Sequence, residues 1–400
     1  MTQARRRALA LISTWLALGL GPAAWAAPYT PATDDVVVET VPARALDPAA
    51  RQMQALRQAW RANPQDLDSA TRLAWRYQAE VAATGDPRYM GYIQATLQPW
   101  WSLPEPPADV RVLRAVVLQF DHRFEPALAD LQAVLRSEPD NITAAAWQLA
   151  IRMVLADYAG ARKSCEQMAG LVSPLISVAC HAQVDAATGR AGPAAAALRA
   201  ALQREKASDT GERLWSLTRL AEIEERRGET VAAEAAFEQA LALGQTDVYL
   251  MAAHADFLLD RGRAADVLLR LKDRGRADVL LLRLALAAKV SGTGKTAQSN
   301  DYARELQARF DAARLRGDTS HRKEESRFAL GVHGDVPLAL KLARENWAEQ
   351  REAADARVLL EAALAARDRA AAAPVLKWLA DNAFEDVRLR PLADRVRALQ

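Results

Sequence analysis

Apolar residues recur at helical spacing along most of the chain from residue 48 to its end. The segment 214–245 shows this spacing well, because an apolar helical face lies on each side of a turn at Gly228. The apolar positions of the two faces are Leu217, Leu220, Ala221, Ala233, Phe237, Ala240 and Leu241. Only residues 35–41 form a β-branched run. The pattern predicts an all-α protein of roughly 14 to 17 helices.

The segment 214–245 resembles a tetratricopeptide repeat, a unit of two antiparallel helices with the pattern W-x2-L-G-x2-Y followed by A-x3-F. The pattern is matched at Leu220, Ala233 and Phe237, whereas Leu217, Ala221 and Glu224 replace the Trp, Gly and Tyr, and no Pro closes the unit. A further copy occurs at 108–141, and weaker copies lie around residues 73–77, 149–165, 189–202 and 334–347. The resemblance implies a right-handed α–α superhelix, a solenoid in which stacked units bury the apolar faces that one unit cannot bury alone.

Changes in composition divide the chain into five parts. We expect a signal peptide at 1–26, an extended segment at 27–47, a helical repeat array at 48–290, a polar loop plus helix insertion at 291–319, and C-terminal repeats with a capping helix at 320–400. Asp47 and Pro48 suit the start of the first helix, because Asp caps free amides and Pro is tolerated in the first turn.

The first 26 residues have the features of a leader for export. Arg5, Arg6 and Arg7 precede an apolar run at 8–20, and Ala24 and Ala26 provide the small residues of a cleavage site after Ala26. The apolar run is shorter than the roughly 20 residues that cross a bilayer. We therefore expect a periplasmic protein that does not span the membrane.

Charge provides no support for a nucleic-acid partner. The predicted leader holds three Arg and no acidic residue, so the mature chain has 49 basic against 50 acidic residues, a net charge of −1. Nucleic-acid binders use a basic patch to contact phosphates, and no such stripe occurs in this sequence.

Two cysteines, Cys165 and Cys180, are the only ones in the chain. They lie almost symmetrically about a turn near residues 172–173, so an antiparallel helix pair would bring them together, and an oxidising compartment would permit a bond. We predict a structural disulfide. The alternative is a pair of buried free thiols, which is common for Cys in helical cores.

Aromatic residues are concentrated near the start of the array. Four of the eight mature tryptophans lie with three tyrosines within 42 residues of chain: Trp60, Trp75, Tyr77, Tyr89, Tyr92, Trp100 and Trp101. The stretch 86–110 is also long and Pro-rich where the repeat pattern would have a short turn. The cluster has two interpretations. It could be the core of an enlarged repeat, or Tyr89, Tyr92, Trp100 and Trp101 could contribute to a partner-binding surface, where aromatic side chains carry much of the binding energy.

Candidate catalytic motifs are incomplete. Gly294, Lys295 and Thr296 match the end of a phosphate-binding loop, but Lys289 stands where its first Gly belongs, after a helical rather than a strand pattern. The pair His333 and Asp335 is the main basis for an alternative metal-handling or enzymatic hypothesis. We predict no enzyme activity and no cofactor.

The resemblance to tetratricopeptide proteins implies binding on a concave face built from the first helix of each unit. In the best unit this face would include Trp215, Glu222 and Arg226, together with Thr218 and Glu225; Trp147, Ile151 and Val154 are the candidates in an earlier unit. The predicted function is a periplasmic scaffold or adaptor that binds a peptide or protein partner for an envelope, transport or secretion assembly. The alternative is a component of a polysaccharide-export or cell-wall machine with an aromatic glycan-contacting surface.

Overall fold

The computed structural model describes Thr33, residues 47–206, 208–291 and 297–399, with the backbone alone at 297–300. The predicted signal peptide, most of the predicted extended segment and the Gly-Lys-Thr loop lie outside the described residues. Contacts divide the chain into a unit ending at Gln54 and a compact unit from Ala55 to Gln400. The account below concerns the second unit.

The described residues contain twenty-one α-helices, one π-helix and no strand, which confirms the predicted all-α fold. The helices are α1 Pro48–Ala62, α2 Leu67–Thr84, α3 Arg88–Thr96, α4 Gln98–Trp101, α5 Ala108–Phe120, α6 Phe124–Ser137, α7 Ile142–Val154, α8 Tyr158–Met168, α9 Pro174–Ala186, α10 Ala191–Arg204, α11 Thr210–Arg227, α12 Thr230–Ala242, α13 Val248–Leu259, α14 Ala264–Leu271, α15 Asp278–Val290, α16 Ala297–Leu315, α17 Arg322–Phe328, α18 Val336–Glu349, α19 Ala353–Ala366, α20 Arg369–Asp381 and α21 Leu389–Arg397. The π-helix Ala329–His333 follows α17 directly.

The helix number exceeds the predicted range partly because the Pro-rich stretch after α2 is helical. The repeat pattern would have only a short turn there, but α3 and α4 form in it. Pro99 does not prevent this, since it lies in the first turn of α4, where its missing amide hydrogen has no intrahelical partner.

Successive helices pack as pairs, and α11–α12 shows how the sequence produces one. Asp209 caps α11 by accepting hydrogen bonds from the amides of Gly211 and Glu212. Gly228 ends α11 at φ 82°, a conformation that glycine adopts without strain. The small side chains Ala221 and Ala233 are fully buried, which allows the two helices to approach closely. The repeat predicted at 214–245 is therefore one helix–turn–helix unit of a solenoid.

The C-terminal helices share a core with helices near the middle of the chain. One apolar cluster joins Leu149 and Tyr158, of α7 and α8, to Trp347, Leu359 and Trp378, of α18 to α20. A second cluster runs through α9 to α15. The chain thus folds back, so that the last repeats pack against α7 and α8.

The helix α16, part of the predicted insertion, packs against α15. Leu306 and Phe310 of α16 are buried in a cluster with Leu281, Leu282 and Phe328. The helix therefore contributes apolar residues to the core of the array. Among the described residues, no helix has both the length and the apolar character needed to span a membrane.

Candidate functional site

The C-terminal ends of several first helices contact the C-terminal repeats. We call this contact region, around His122, Val154, Arg226 and Asp260, the docking face. The backbone amide of Arg351, which follows α18, donates to the carbonyl of Val154 at the end of α7, at 2.8 Å. The Gln350 side chain lies 2.8 Å from Nε2 of His122, which follows α5. These residues are about 200 positions apart in sequence, so the contacts depend entirely on the tertiary fold.

The link between α20 and α21, residues 384–388 (Phe-Glu-Asp-Val-Arg), crosses the same face; we call it the docked segment. The Glu385 carboxylate accepts a hydrogen bond from the amide of Ala191, the first residue of α10, at 3.1 Å. The Val387 amide donates to the carbonyl of Arg226 at 2.9 Å. Anionic side chains are stabilised at helix N-termini, so the position of Glu385 is electrostatically favourable.

Arg388 of the docked segment donates to the buried carboxylate of Glu225 at 2.7 Å and also pairs with Asp386. Burial raises the pKa of Glu225 to about 7, because its desolvation, with Asp260 and Asp386 nearby, outweighs the attraction of Arg388 and Arg261. The ion pair between Arg388 and Glu225 is therefore complete only at pH values at which Glu225 is deprotonated.

Two further ion pairs hold α17 and α19 to α13. The guanidinium of Arg357 forms a two-pronged pair with Asp260 at 2.6 and 2.7 Å. Asp256 accepts from both Arg327, at 2.9 and 3.0 Å, and Arg283, at 2.5 and 3.1 Å. Burial opposes ionisation of Asp256, but the two guanidinium groups overcome it and hold its pKa well below the usual value.

The predicted concave residues lie at this closed face. Trp215 is half-buried and packs against both large apolar clusters. Thr218 and Glu225 are buried. The guanidinium of Arg226 lies 5.3 Å from the centre of the Phe384 ring, in cation–π contact with the docked segment. The surface that the sequence assigned to a partner is thus contacted by the chain itself.

Glu222 of α11 contacts Tyr249 of α13. Its carboxylate accepts from the Tyr249 hydroxyl at 2.5 Å and pairs with Arg219 at 3.1 Å. Arg219 also lies over the Tyr249 ring, 4.7 Å from its centre. Tyr249 is 53% exposed, yet desolvation raises the pKa of its phenol.

In the earlier repeat, the predicted candidates are largely enclosed. Ile151 is buried, while Trp147 and Val154 are partly buried against the same cluster. This cluster also contains Val112, Phe124 and Leu131. Ile151 therefore contributes to the core.

A separate surface at the start of the array, the aromatic edge, consists of Tyr89, Tyr92, Trp100 and Trp101. Tyr77, Tyr89 and Tyr92 form a triad with ring centres 5.5 to 5.7 Å apart. Tyr92 is 45% exposed, whereas Tyr89 is half-buried. Tyr77 is buried and accepts a hydrogen bond from Arg57 at 3.0 Å. The Tyr92 ring is therefore accessible to solvent while Tyr77 and Tyr89 hold it in place.

Trp100 and Trp101 are half-buried in α4. The carbonyl of Trp101 accepts from Arg114 at 2.6 Å, and Arg114 also forms a two-pronged pair with Asp130. An open hollow adjoins the chain that follows them, lined by residues 105–108, Arg111 and residues 133–134 and 136–138. The two tryptophans thus have both packing contacts and solvent exposure.

The structure joins Cys165 of α8 and Cys180 of α9 in a disulfide, with Cα atoms 5.7 Å apart. Both residues are buried in the cluster shared with the C-terminal repeats. Because α7 pairs with α8 and α9 pairs with α10, the bond links two neighbouring units, close to the surface on which Trp378 and its neighbours pack.

The histidine and carboxylate pairs considered in the sequence have structural partners. His254 is buried between Phe237 and Phe257, and burial lowers its pKa to about 4. His333 packs edge-on against Phe328, and Asp335 caps α18 by accepting from the amide of Leu338. Within the described residues, no group of three or more His, Cys, Asp or Glu side chains could hold a metal ion.

No protein-family model and no curated protein matches the chain. A solved structure of the human IFIT1 dimer with m7Gppp-AAAA aligns with 89% of this chain and 88% of its own chain, at 12% identity and a TM-score of 0.41. The TPR domain of P58(IPK) aligns with 89% of this chain and 95% of its own, at 14% identity and a TM-score of 0.23. These values are too low to support a functional argument.

Sequence reasoning missed the part that the C-terminal residues play in the docking face. Glu385, Val387 and Arg388 contact residues 161 to 194 positions earlier in the chain. Their local sequence resembles any polar link between helices. Only the absence of a helical pattern at residues 384–386 distinguished them, and that feature does not identify a distant partner.

Proposed function

We propose that this protein is an exported, non-catalytic scaffold that binds a protein partner in the periplasm through the aromatic edge. The observation that supports this most directly is the accessible ring of Tyr92, held in place by Tyr77 and Tyr89. The solenoid supplies a rigid frame, since each unit is fixed by its neighbours. The leader-like N-terminus supports export, and an envelope, transport or secretion assembly is the expected setting.

The aromatic edge suits partner binding for a physical reason. Tyr and Trp bury a large area at a small cost in conformational entropy, and they dominate the binding energy of many interfaces. Tyr92 is held in a triad, so binding would immobilise few additional side-chain torsions.

Replacement of Tyr92 by Ala is expected to weaken partner capture by about thirtyfold, which corresponds to the loss of roughly 2 kcal/mol that a central interface aromatic contributes. The melting temperature should change little, because Tyr92 is 45% exposed. The measurement is quantitative crosslinking and co-purification from envelope extracts, with the bait variants at equal concentration. Val231→Ala is the matched control, since Val231 is 84% exposed on α12.

Trp100→Ala and Trp101→Ala separate the two interpretations of the cluster. Lost capture with normal melting supports a binding surface, whereas a broad, lowered melting transition with intact capture assigns the ring to the core. Equal capture by the wild type, Tyr92→Ala and Val231→Ala would contradict the proposed role of the edge. Quenching of Trp fluorescence by cell-wall oligosaccharides, without any protein partner, would instead support the glycan-contacting alternative.

A separate prediction concerns the location of the protein and the first residue of its mature chain. Expressed at its natural level in a bacterium with an outer membrane, the protein is expected in the periplasmic fraction with Ala27 as its first residue. N-terminal sequencing of that fraction provides the measurement. A cytosolic protein that retains residues 1–26 would exclude export, without bearing on partner binding through the aromatic edge.

A further inference from the structure

The docked segment, Phe384–Arg388, has the geometry of a bound peptide rather than of a buried link. Residues 384–386 are non-helical and cross from the start of α10 to the end of α11. Glu385 is exposed and Val387 is 49% exposed. Phe384 packs on Trp378, with ring centres 4.4 Å apart, and Asp386 is buried, whereas Glu385, Val387 and Arg388 reach across to two neighbouring units.

Each type of contact made by the segment is one that an extended peptide can make. There is one backbone hydrogen bond, from Val387 to Arg226, and one carboxylate bond, from Glu385 to the first amide of α10. Arg388 adds an ion pair with Glu225, and Phe384 adds the cation–π contact with Arg226. Net hydrogen bonds contribute only about 1 kcal/mol each, so few such bonds hold the segment in place.

The receiving surface consists of two turns with glycines at their tightest points. A Cβ atom on Gly228 would lie 3.3 Å from Val387, and one on Gly189 would lie 3.0 Å from Ala383. Both glycines have positive φ, which the turns require. The absence of a side chain therefore also lets the segment lie directly on the turns.

Helix α21 has anchors of its own beyond the docked segment. Leu389, Ala393 and Val396 are buried in the cluster shared by α7 to α9 and the C-terminal repeats. Before the segment, Trp378 of α20 is buried in the same cluster. Helices α20 and α21 are therefore anchored by contacts that do not depend on those of Glu385, Val387 and Arg388 with α10 and α11.

We propose that the surface formed by residues 189–191 and 225–228 is a binding site for an extended peptide segment of a protein partner. The recognised order is an aromatic residue, two acidic residues, an aliphatic residue and a basic residue. Residues 384–388 occupy the site within the chain, and a partner segment of the same chemistry competes with them. This site adds to the aromatic edge and does not depend on it.

The test uses a fluorescein-labelled peptide with the sequence of residues 382–390, Asn-Ala-Phe-Glu-Asp-Val-Arg-Leu-Arg, titrated with the full chain and followed by fluorescence anisotropy. In the opened variant, Glu385→Ala with Arg388→Ala, the internal segment loses both charged contacts. The peptide is expected to bind the opened variant at least about tenfold more tightly than the wild type, since a site occupied more than nine-tenths of the time lowers apparent affinity by that factor.

The matched control is Asp394→Ala with Arg397→Ala, an exposed ion pair on α21 outside the docking face. It should bind the peptide as weakly as the wild type does. Adding Glu225→Lys to the opened variant should abolish binding of the original peptide and permit binding of a peptide with Glu in place of its first Arg. Far-UV circular dichroism and melting establish that each variant is folded.

Equal affinity of the folded wild type and the opened variant for the peptide would overturn the proposal. The proposal would also be overturned if adding Glu225→Lys to the opened variant left its affinity for the original peptide unchanged. If instead the opened variant binds the peptide but Tyr92→Ala still captures a partner normally, this second site stands and the proposed aromatic edge fails. If the peptide does not bind and capture depends on Tyr92, the edge stands and the second site fails.

Discussion

Reduction of the disulfide between Cys165 and Cys180 is expected to lower the free energy of unfolding by about 3 kcal/mol, because the bond closes a short loop and restricts the unfolded chain. The two residues are separated by 15 positions. The effect should extend beyond α8 and α9, since both cysteines lie in the core shared with the C-terminal repeats. Urea titration with and without reductant, followed by circular dichroism, measures the difference.

Replacing both cysteines by Ala provides the control for this prediction. The double variant should unfold at a urea concentration close to that of the reduced wild type, and reductant should have no further effect on it. Thiol titration of the unfolded, unreduced protein should find no reactive thiol. Two reactive thiols, or equal stability of the oxidised and reduced proteins, would contradict the prediction.

Asp256→Asn is expected to destabilise the protein by about 3 kcal/mol, because it leaves two enclosed guanidinium groups without their shared counter-charge. The side chains of Arg283 and Arg327 are only 8% and 18% exposed. The pair joins α13 to α15 and α17, so the loss should weaken the attachment of the C-terminal repeats. Chemical denaturation at neutral pH provides the measurement.

Acid should reduce this difference between the wild type and Asp256→Asn. The pKa of Asp256 is lowered by folding, so its carboxylate stabilises the folded state above the usual pKa of 3.8, and this stabilisation is lost as the pH falls below that value. Asp394→Asn is the matched control, because Asp394 and Arg397 form an exposed pair that should contribute less than about 1 kcal/mol. Equal effects of Asp256→Asn and Asp394→Asn would refute the prediction.

The repeat at 214–245 shows which parts of the fold local sequence could predict. The apolar faces around Leu217 and Phe237 and the turn at Gly228 predicted α11 and α12, since a buried helical face needs apolar residues at a period of 3.6. The helices α3 and α4 were not predicted, because the repeat pattern would have only a short turn at their place in the chain. The spacing of apolar residues does not show whether a proline such as Pro99 lies in the first turn of a helix, where it is tolerated, or in a loop.

The predicted partner-binding residues illustrate where local sequence was insufficient. Arg226 does lie at the end of a first helix, as its repeat position indicates, but its carbonyl accepts a hydrogen bond from Val387. Tyr92 differs from it, since its ring is accessible although its sequence environment fits a core equally well. Position within a repeat predicts which face a residue occupies, and it does not predict what covers that face.

The sequence by itself determined most of the helices, their pairing into stacked units and the proximity of two cysteines in neighbouring units, because each depends on residues within about forty positions of one another. The tertiary structure alone decided that the C-terminal repeats fold back onto the ends of α7, α11 and α13. Those contacts join residues of widely separated units, through single ion pairs and backbone bonds that leave no periodic signal in the sequence.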